Sequence, residues 1–89
     1  LYIDGGLLEF PLAIRTRRDG DTFYPFGLRG KKKLNKYFKD EKLSLIAKDK
    51  TWLLCSSSEI IWVIGRRADD RFKITSSTQT ILKITLHEK

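Results

Sequence analysis

Eight of the residues between Arg15 and Lys36 are Arg or Lys, and this crowding of like charge limits what the chain can fold into. Cations gathered on one segment repel, so a compact state pays for the crowding unless solvent or an anionic partner absorbs the field. The segment is punctuated by Gly20, Gly27 and Gly30 and runs into the amphipathic stretch that begins at Leu34. The arrangement reads as a grip for nucleic acid, not as an active site.

With 89 residues the chain makes one small domain, 1–89, able to bury roughly 60–65% of its unfolded surface without covalent staples. The sequence opens on Leu1 and has no methionine, so it is expected to be a piece of a longer protein. A formal charge of +7 points to anionic partners. One cysteine, Cys55, excludes an internal disulfide, and with a single histidine, His87, there is no zinc-binding set. Cys55 follows Leu53-Leu54 and reads as a small buried hydrophobe, since nothing nearby offers it a base. The longest apolar run, Ile60 to Ile64, is far short of the ~20 residues a membrane span needs. No membrane association and a cytoplasmic location are expected.

Local patterning is strand-rich. Leu8, Phe10, Leu12 and Ile14 alternate with Glu9, Pro11, Ala13 and Arg15, which places four apolar side chains on one strand face. Pro11 has no backbone donor, so this strand lies at an edge or stops pairing there. Arg18-Asp19-Gly20-Asp21 supplies a turn, and the ligand ladder of a calcium loop is missing around its two aspartates. Over residues 31–40 the period becomes helical, with Leu34, Tyr37 and Phe38 on one face and Lys32, Lys36 and Lys39 on the other. A short helical turn is expected near 43–48. Leu53–Cys55 reads as a strand, Ser56–Ser58 as a turn, and Glu59–Ile64 as a central strand apolar on both faces that buries Trp62. Beyond Gly65, Ala68-Asp69-Asp70 reads as a solvated turn, Phe72–Thr75 as extended chain, and the alternation of Leu82, Ile84 and Leu86 as a last strand. The expected fold class is α+β: a small strand-rich domain, mixed sheet or sandwich, with one main amphipathic helix.

No motif for catalysis emerges. Gly27-Leu28-Arg29-Gly30-Lys31 has two residues between its glycines where a phosphate-binding P-loop has four, and Lys32 follows in place of Ser or Thr. A KH reading of the same Gly-x-x-Gly fails because Phe23-Tyr24-Pro25-Phe26 is a poor first helix. What remains is a glycine-enabled turn into a helix, a geometry that suits backbone amides facing a phosphate. Asp69 and Asp70 are adjacent and do not share a proton as a catalytic dyad, and Ser56–Ser58 lack elbow glycines. Phe23, Tyr24 and Phe26, interleaved with cations, serve either as core or as stacking surfaces for bases.

An ordered set of short motifs carries a family resemblance. Arg15-Thr16-Arg17-Arg18-Asp19-Gly20-Asp21 is followed by Pro25-Phe26-Gly27-Leu28-Arg29-Gly30-Lys31-Lys32-Lys33-Leu34, then by Ile64-Gly65-Arg66-Arg67 and Phe72-Lys73-Ile74-Thr75. Over roughly residues 11 to 86 the chain resembles the C-terminal domain of bacterial tRNA(Ile)-lysidine synthetases. Ser44 and Trp52 stand where that family's pattern has proline. The resemblance implies a parent enzyme that uses ATP to activate the wobble cytidine of a CAU-anticodon isoleucine tRNA and then joins lysine to it. That chemistry belongs to an N-terminal domain marked by Ser-Gly-Gly-x-Asp-Ser, which is absent here.

The resemblance further implies a role in holding the tRNA body, particularly the acceptor stem. The expected partners are tRNA(Ile) and the remaining domains of the parent, with a homodimer open; no cofactor and no catalytic residue are expected in this chain. Arg15, Arg17, Arg18, Lys32, Lys33, Arg67 and Lys73 match the family pattern as RNA contacts. Lys31, Lys36 and Arg66 join them on charge clustering alone. Arg15 serves equally well as a structural strand residue. The competing reading is a module that packs against the rest of the enzyme or dimerises, with little direct RNA contact.

Overall fold

A computed structural model describes residues 1–87. In chain order the elements are β1 (Tyr2–Asp4), a 3-10 turn (Gly5–Leu7), β2 (Leu12–Arg15), β3 (Thr22–Phe23), β4 (Lys32–Lys33), α1 (Leu34–Asp40), α2 (Leu45–Lys50), β5 (Leu53–Ser56), β6 (Glu59–Val63), a second 3-10 turn (Asp70–Phe72) and β7 (Ile81–Lys83). The strand-rich α+β fold expected from the sequence is the one observed.

An antiparallel sheet in the order β2-β5-β6 divides the core in two. Leu53 and Cys55 of β5 point to one side, where Ile60 and Val63 of β6 join Phe23 and the α1 face of Leu34, Tyr37 and Phe38. Leu54 points to the other side, where it meets Ile61, Phe72 and Ile3 under the β1-β7 pair. β5 is thus the buried central strand, apolar on both faces as a doubly covered strand must be.

β6 was expected in that central place and instead occupies the sheet edge. Its continuous apolar run has a different cause. Leu54 pairs with Trp62 and Cys55 with Ile60, so Ile61 is the extra residue of a β-bulge. Two neighbours, Ile61 and Trp62, then both join the second cluster. The outer edge of β6 is sealed by the chain's own return past Gly65, at φ +83°. There Val63 N–H donates to the Arg67 carbonyl and Asp69 N–H to the Ile61 carbonyl. Trp62 sits under this return half-buried, not fully buried, with its indole N–H donating to the Arg66 carbonyl.

The strand expected over Leu8–Ile14 pairs only from Leu12 onward, directly after Pro11. Before Pro11 the chain is held by Ser56, whose Oγ accepts from Glu9 N–H and donates to Glu9 C=O. Leu8 and Leu12 pack on the second cluster, whereas Phe10 and Ile14 stay 68% and 61% exposed on the uncovered edge. Ser56 therefore belongs to β5 and is buried; the turn consists of Ser57 and Ser58. Phe72 ends the Asp70–Phe72 turn, and the chain resumes extended at Lys73 as expected, outside any sheet.

The expected helix over 31–40 starts at Leu34, because Lys32 and Lys33 pair with Phe23 and Thr22 and are held extended. Asp21 organises this junction. Its carbonyl accepts from Leu34 N–H, and its carboxylate takes both Arg15 Nη atoms at 2.9 and 2.8 Å and the Arg18 N–H at 2.7 Å. Burial alone pushes the Asp21 carboxyl up, but these donors outweigh it and hold the group below the usual carboxylate range. A depressed folded-state pKa stabilises the fold above the unfolded value of about 4, and the contribution is lost as pH falls through the lowered folded value. Asp21→Asn should therefore be less stable than the parent at pH 7, with the gap closing below about pH 4; urea unfolding from pH 7 to pH 2.5 measures it. A pH-independent gap would remove Asp21 from this role.

Candidate nucleic-acid interface

The ten residues singled out for RNA contact fall into two groups on either side of the loop 25–30. The first surrounds α1. Leu28, Arg29, Lys31, Lys32, Lys33, Lys36 and Asp40 line one groove, and Arg17, Asn35, Lys36, Lys39, Asp40 and Lys48 line a second. Lys36 and Asp40 belong to both, so the grooves share a border along the exposed face of α1. The opposite face carries Leu34, Tyr37 and Phe38 into the core, which turns the lysine stripe outward.

Partners inside the molecule separate free cations from engaged ones. Arg15 is held bidentate by Asp21, with side-chain exposures of 18% and 12%, and acts as a structural strand residue. Arg17 is a brace: Nη1 donates to Asn35 Oδ1 of α1 at 2.8 Å, and Nε and Nη2 donate to Asp49 of α2. The Arg17–Arg18 tip is thereby pinned beside the helix. Lys32 pairs with Asp40, whose carboxyl this ammonium holds below the usual range. Arg18, Lys31, Lys33 and Lys36 are exposed and have no ion-pair partner among the described residues.

The second group collects Arg66, Arg67 and Lys73 around an apolar hollow bordered by Phe26 and Ile74. Here the backbone of 24–26 runs beside 68–70: Phe26 N–H donates to the Ala68 carbonyl and Asp70 N–H to the Tyr24 carbonyl. Arg67 Nη1 donates to the Phe26 carbonyl, and Lys73 pairs with Asp70. Gly27, at φ +82°, lies so close that an added Cβ would stand 3.2 Å from Arg67 Nη1. Glycine there satisfies both the backbone and the arginine.

Asp69, expected as a solvated turn residue, is buried at 1% exposure. Its carboxylate receives Tyr24 N–H, Arg71 N–H and the Arg71 guanidinium, which also stacks on Tyr24 at 4.4 Å. Cys55 is buried as expected, and burial pushes its thiol up. Among the described residues no group of three or more His, Cys, Asp or Glu is placed to hold a metal ion, and no helix is long and apolar enough to cross a membrane.

Three cations at the grooves were not among the residues picked from sequence. Lys39 and Arg29 carried a signal, the first by sharing the Lys32-Lys36 stripe and the second by preceding the lysine run. The sequence did not bring Lys48 to this surface, since only the packing of α2 beside α1 brings it to Arg17.

Fold and surface together define a small α+β domain that presents a basic helix face beside a glycine loop. The family model described as the TilS substrate C-terminal domain matches residues 12–86, and the chain belongs to that family. It is 53% identical over 81 residues to the tRNA(Ile)-lysidine synthase of Parabacteroides distasonis, covering 91% of this chain and 18% of that protein. The synthase of Bacteroides thetaiotaomicron is 40% identical over 79 residues, with 89% and 18% covered. The chain thus spans about a fifth of the length of these curated relatives. A crystal structure of a TilS C-terminal domain superimposes with a TM-score of 0.76 at 28% identity, covering 90% of this chain and 62% of that one.

Proposed function

We propose that this domain is the non-catalytic tRNA grip of a tRNA(Ile)-lysidine synthase in the cytoplasm. It holds the body of the tRNA, at the acceptor stem, while a separate catalytic domain uses ATP to join lysine to the wobble cytidine. The observation that carries the reading is the pair of basic grooves sharing Lys36, placed on a helix whose other face is committed to the core. A-form stems are held chiefly through phosphates and 2′-hydroxyls, by shape, and exposed ammonium groups on a rigid helix suit that task. Arg17, tied to Asn35 and Asp49, sets the geometry, while Arg18, Lys31, Lys33 and Lys36 meet phosphate.

Binding of tRNA by the 89-residue chain, followed from 50 to 300 mM salt, tests this. Four phosphate contacts predict a log-affinity versus log-salt slope of roughly −3. Binding that ignores salt, or no binding at 50 mM, would favour the packing-module reading, for which exposed Phe10 and Ile14 at the β2 edge offer one apolar surface. The chain takes no cofactor of its own on this proposal. Calorimetry should detect no saturable ATP binding and lysine transfer should be nil; saturable ATP uptake would overturn the non-catalytic assignment.

A further inference from the structure

Two shallow hollows meet at Arg66. On one side Phe26 and Ile74 form an apolar floor beside Arg67 and Lys73; on the other Trp52 and Leu86 lie beside Lys50. Among the described residues no carboxylate lines either hollow. Trp52 is 54% exposed and Phe26 50%, although both are anchored by the backbone: the Trp52 carbonyl accepts from Ile64 N–H, and Phe26 N–H donates to the Ala68 carbonyl. Arg66 is equally fixed at its backbone, with N–H on the Val63 carbonyl and C=O taking the Trp62 indole. Its exposed guanidinium has no ion-pair partner among the described residues, while Arg67 and Lys73 are engaged by the Phe26 carbonyl and Asp70.

Each hollow holds an exposed aromatic and the two share one free arginine, the kinds of group that two bases and the phosphate between them would need. We propose that Trp52, Arg66 and Phe26 form a site for two successive unpaired nucleotides of an RNA chain. One base stacks on the Trp52 indole, the next on the Phe26 ring, and the phosphate between them meets Arg66. Stacking tolerates any base because every base has a π-face, so the site selects single-stranded over paired RNA and not sequence. Charge decides the occupant. An apolar protein surface laid here would bury Arg66 and Lys50 against nothing, whereas a nucleotide supplies both the flat apolar face and the anion. The site rests on the RNA-binding reading but lies apart from the α1 grooves.

The test uses the 89-residue chain with two probes: single-stranded pentaadenylate and a blunt 12-base-pair RNA duplex. Pentaadenylate should quench tryptophan emission saturably. Trp52→Ala should weaken its binding roughly 5- to 150-fold, the range measured for deleting one base stack. Trp52→Tyr should keep most of the affinity, Phe26→Ala should weaken it in the same way, and Trp52→Ala should leave duplex affinity within about twofold. Duplex binding without pentaadenylate binding, or pentaadenylate affinity unmoved by Trp52→Ala, overturns the site and leaves the tRNA grip standing; failure of both probes overturns both. Self-association of the parent chain that Trp52→Ala abolishes would also overturn the site, by making Trp52 a contact between copies.

Discussion

Asp69→Ala is expected to cost about 2–5 kcal/mol of folding free energy, because it leaves two backbone N–H groups without an acceptor. Tyr24 N–H and Arg71 N–H both end on this carboxylate at 2.9 and 2.8 Å, in a place closed to water at 1% exposure. The Arg71 guanidinium keeps Glu59 as a second partner and is itself 36% exposed, so the loss falls mainly on the two amides. Arg71→Ala should cost a comparable amount, since it leaves the buried carboxylate with both amide bonds but no counter-charge. A domain of this size holds only about 4–13 kcal/mol in all, so the aspartate variant should melt roughly 15–30 °C lower or fail to fold at 37 °C. Urea unfolding of the two variants measures both losses. A loss below about 1 kcal/mol at Asp69 would show that Tyr24 and Arg71 find other acceptors.

Asp69 also shows where sequence reading stops. Adjacent aspartates after Ala68 have the composition of a solvated turn, and no local pattern says otherwise. The residue is buried because β6 lies at the sheet edge, the chain folds back to seal it, and residues 24–26 arrive from 45 positions away with an amide to satisfy. Periodicity could place the α1 face, since Leu34, Tyr37 and Phe38 recur at helical spacing and are buried together. It could not set the helix start, which depends on Lys32 and Lys33 finding Phe23 and Thr22 across the loop. The apolar run at Ile60–Ile64 announced burial on two sides correctly but hid the bulge at Ile61, which moves Trp62 toward the rim and leaves the central place to β5.

The basic surface was legible as charge but not as charge available. Ten cations chosen from sequence look equivalent; in the folded chain Arg15, Arg17, Lys32 and Lys73 each have a carboxylate partner. Those partners lie 3 to 32 residues away, and only Asp70, i−3 to Lys73, is a helix-like neighbour. Whether a lysine is free is thus a property of the fold, and the exposed, unpaired set has to be read from the structure.

That distinction fixes the choice of variant with the largest expected effect on binding. Lys31, Lys33 and Lys36 changed together to Glu should leave the fold intact, because none has an ion-pair partner among the described residues and Lys36 opposes the docked face of α1. Lys32 is left alone, since a glutamate there would face Asp40. Each phosphate contact contributes a salt slope of about 0.7–0.9, worth about sixfold at 0.1 M salt relative to 1 M. Three lost contacts should lower tRNA affinity about 200-fold at 0.1 M and flatten the slope by roughly 2 to 2.7, and the introduced negative charges push further in the same direction. Arg15→Lys offers the opposite control: it disturbs the bidentate hold on Asp21 and should cost stability while the salt slope stays as it was. Filter binding or fluorescence anisotropy across a salt series, with circular dichroism on every variant, separates the two. A folded triple variant with parental affinity and slope would take α1 off the RNA and leave this helix face to the rest of the enzyme.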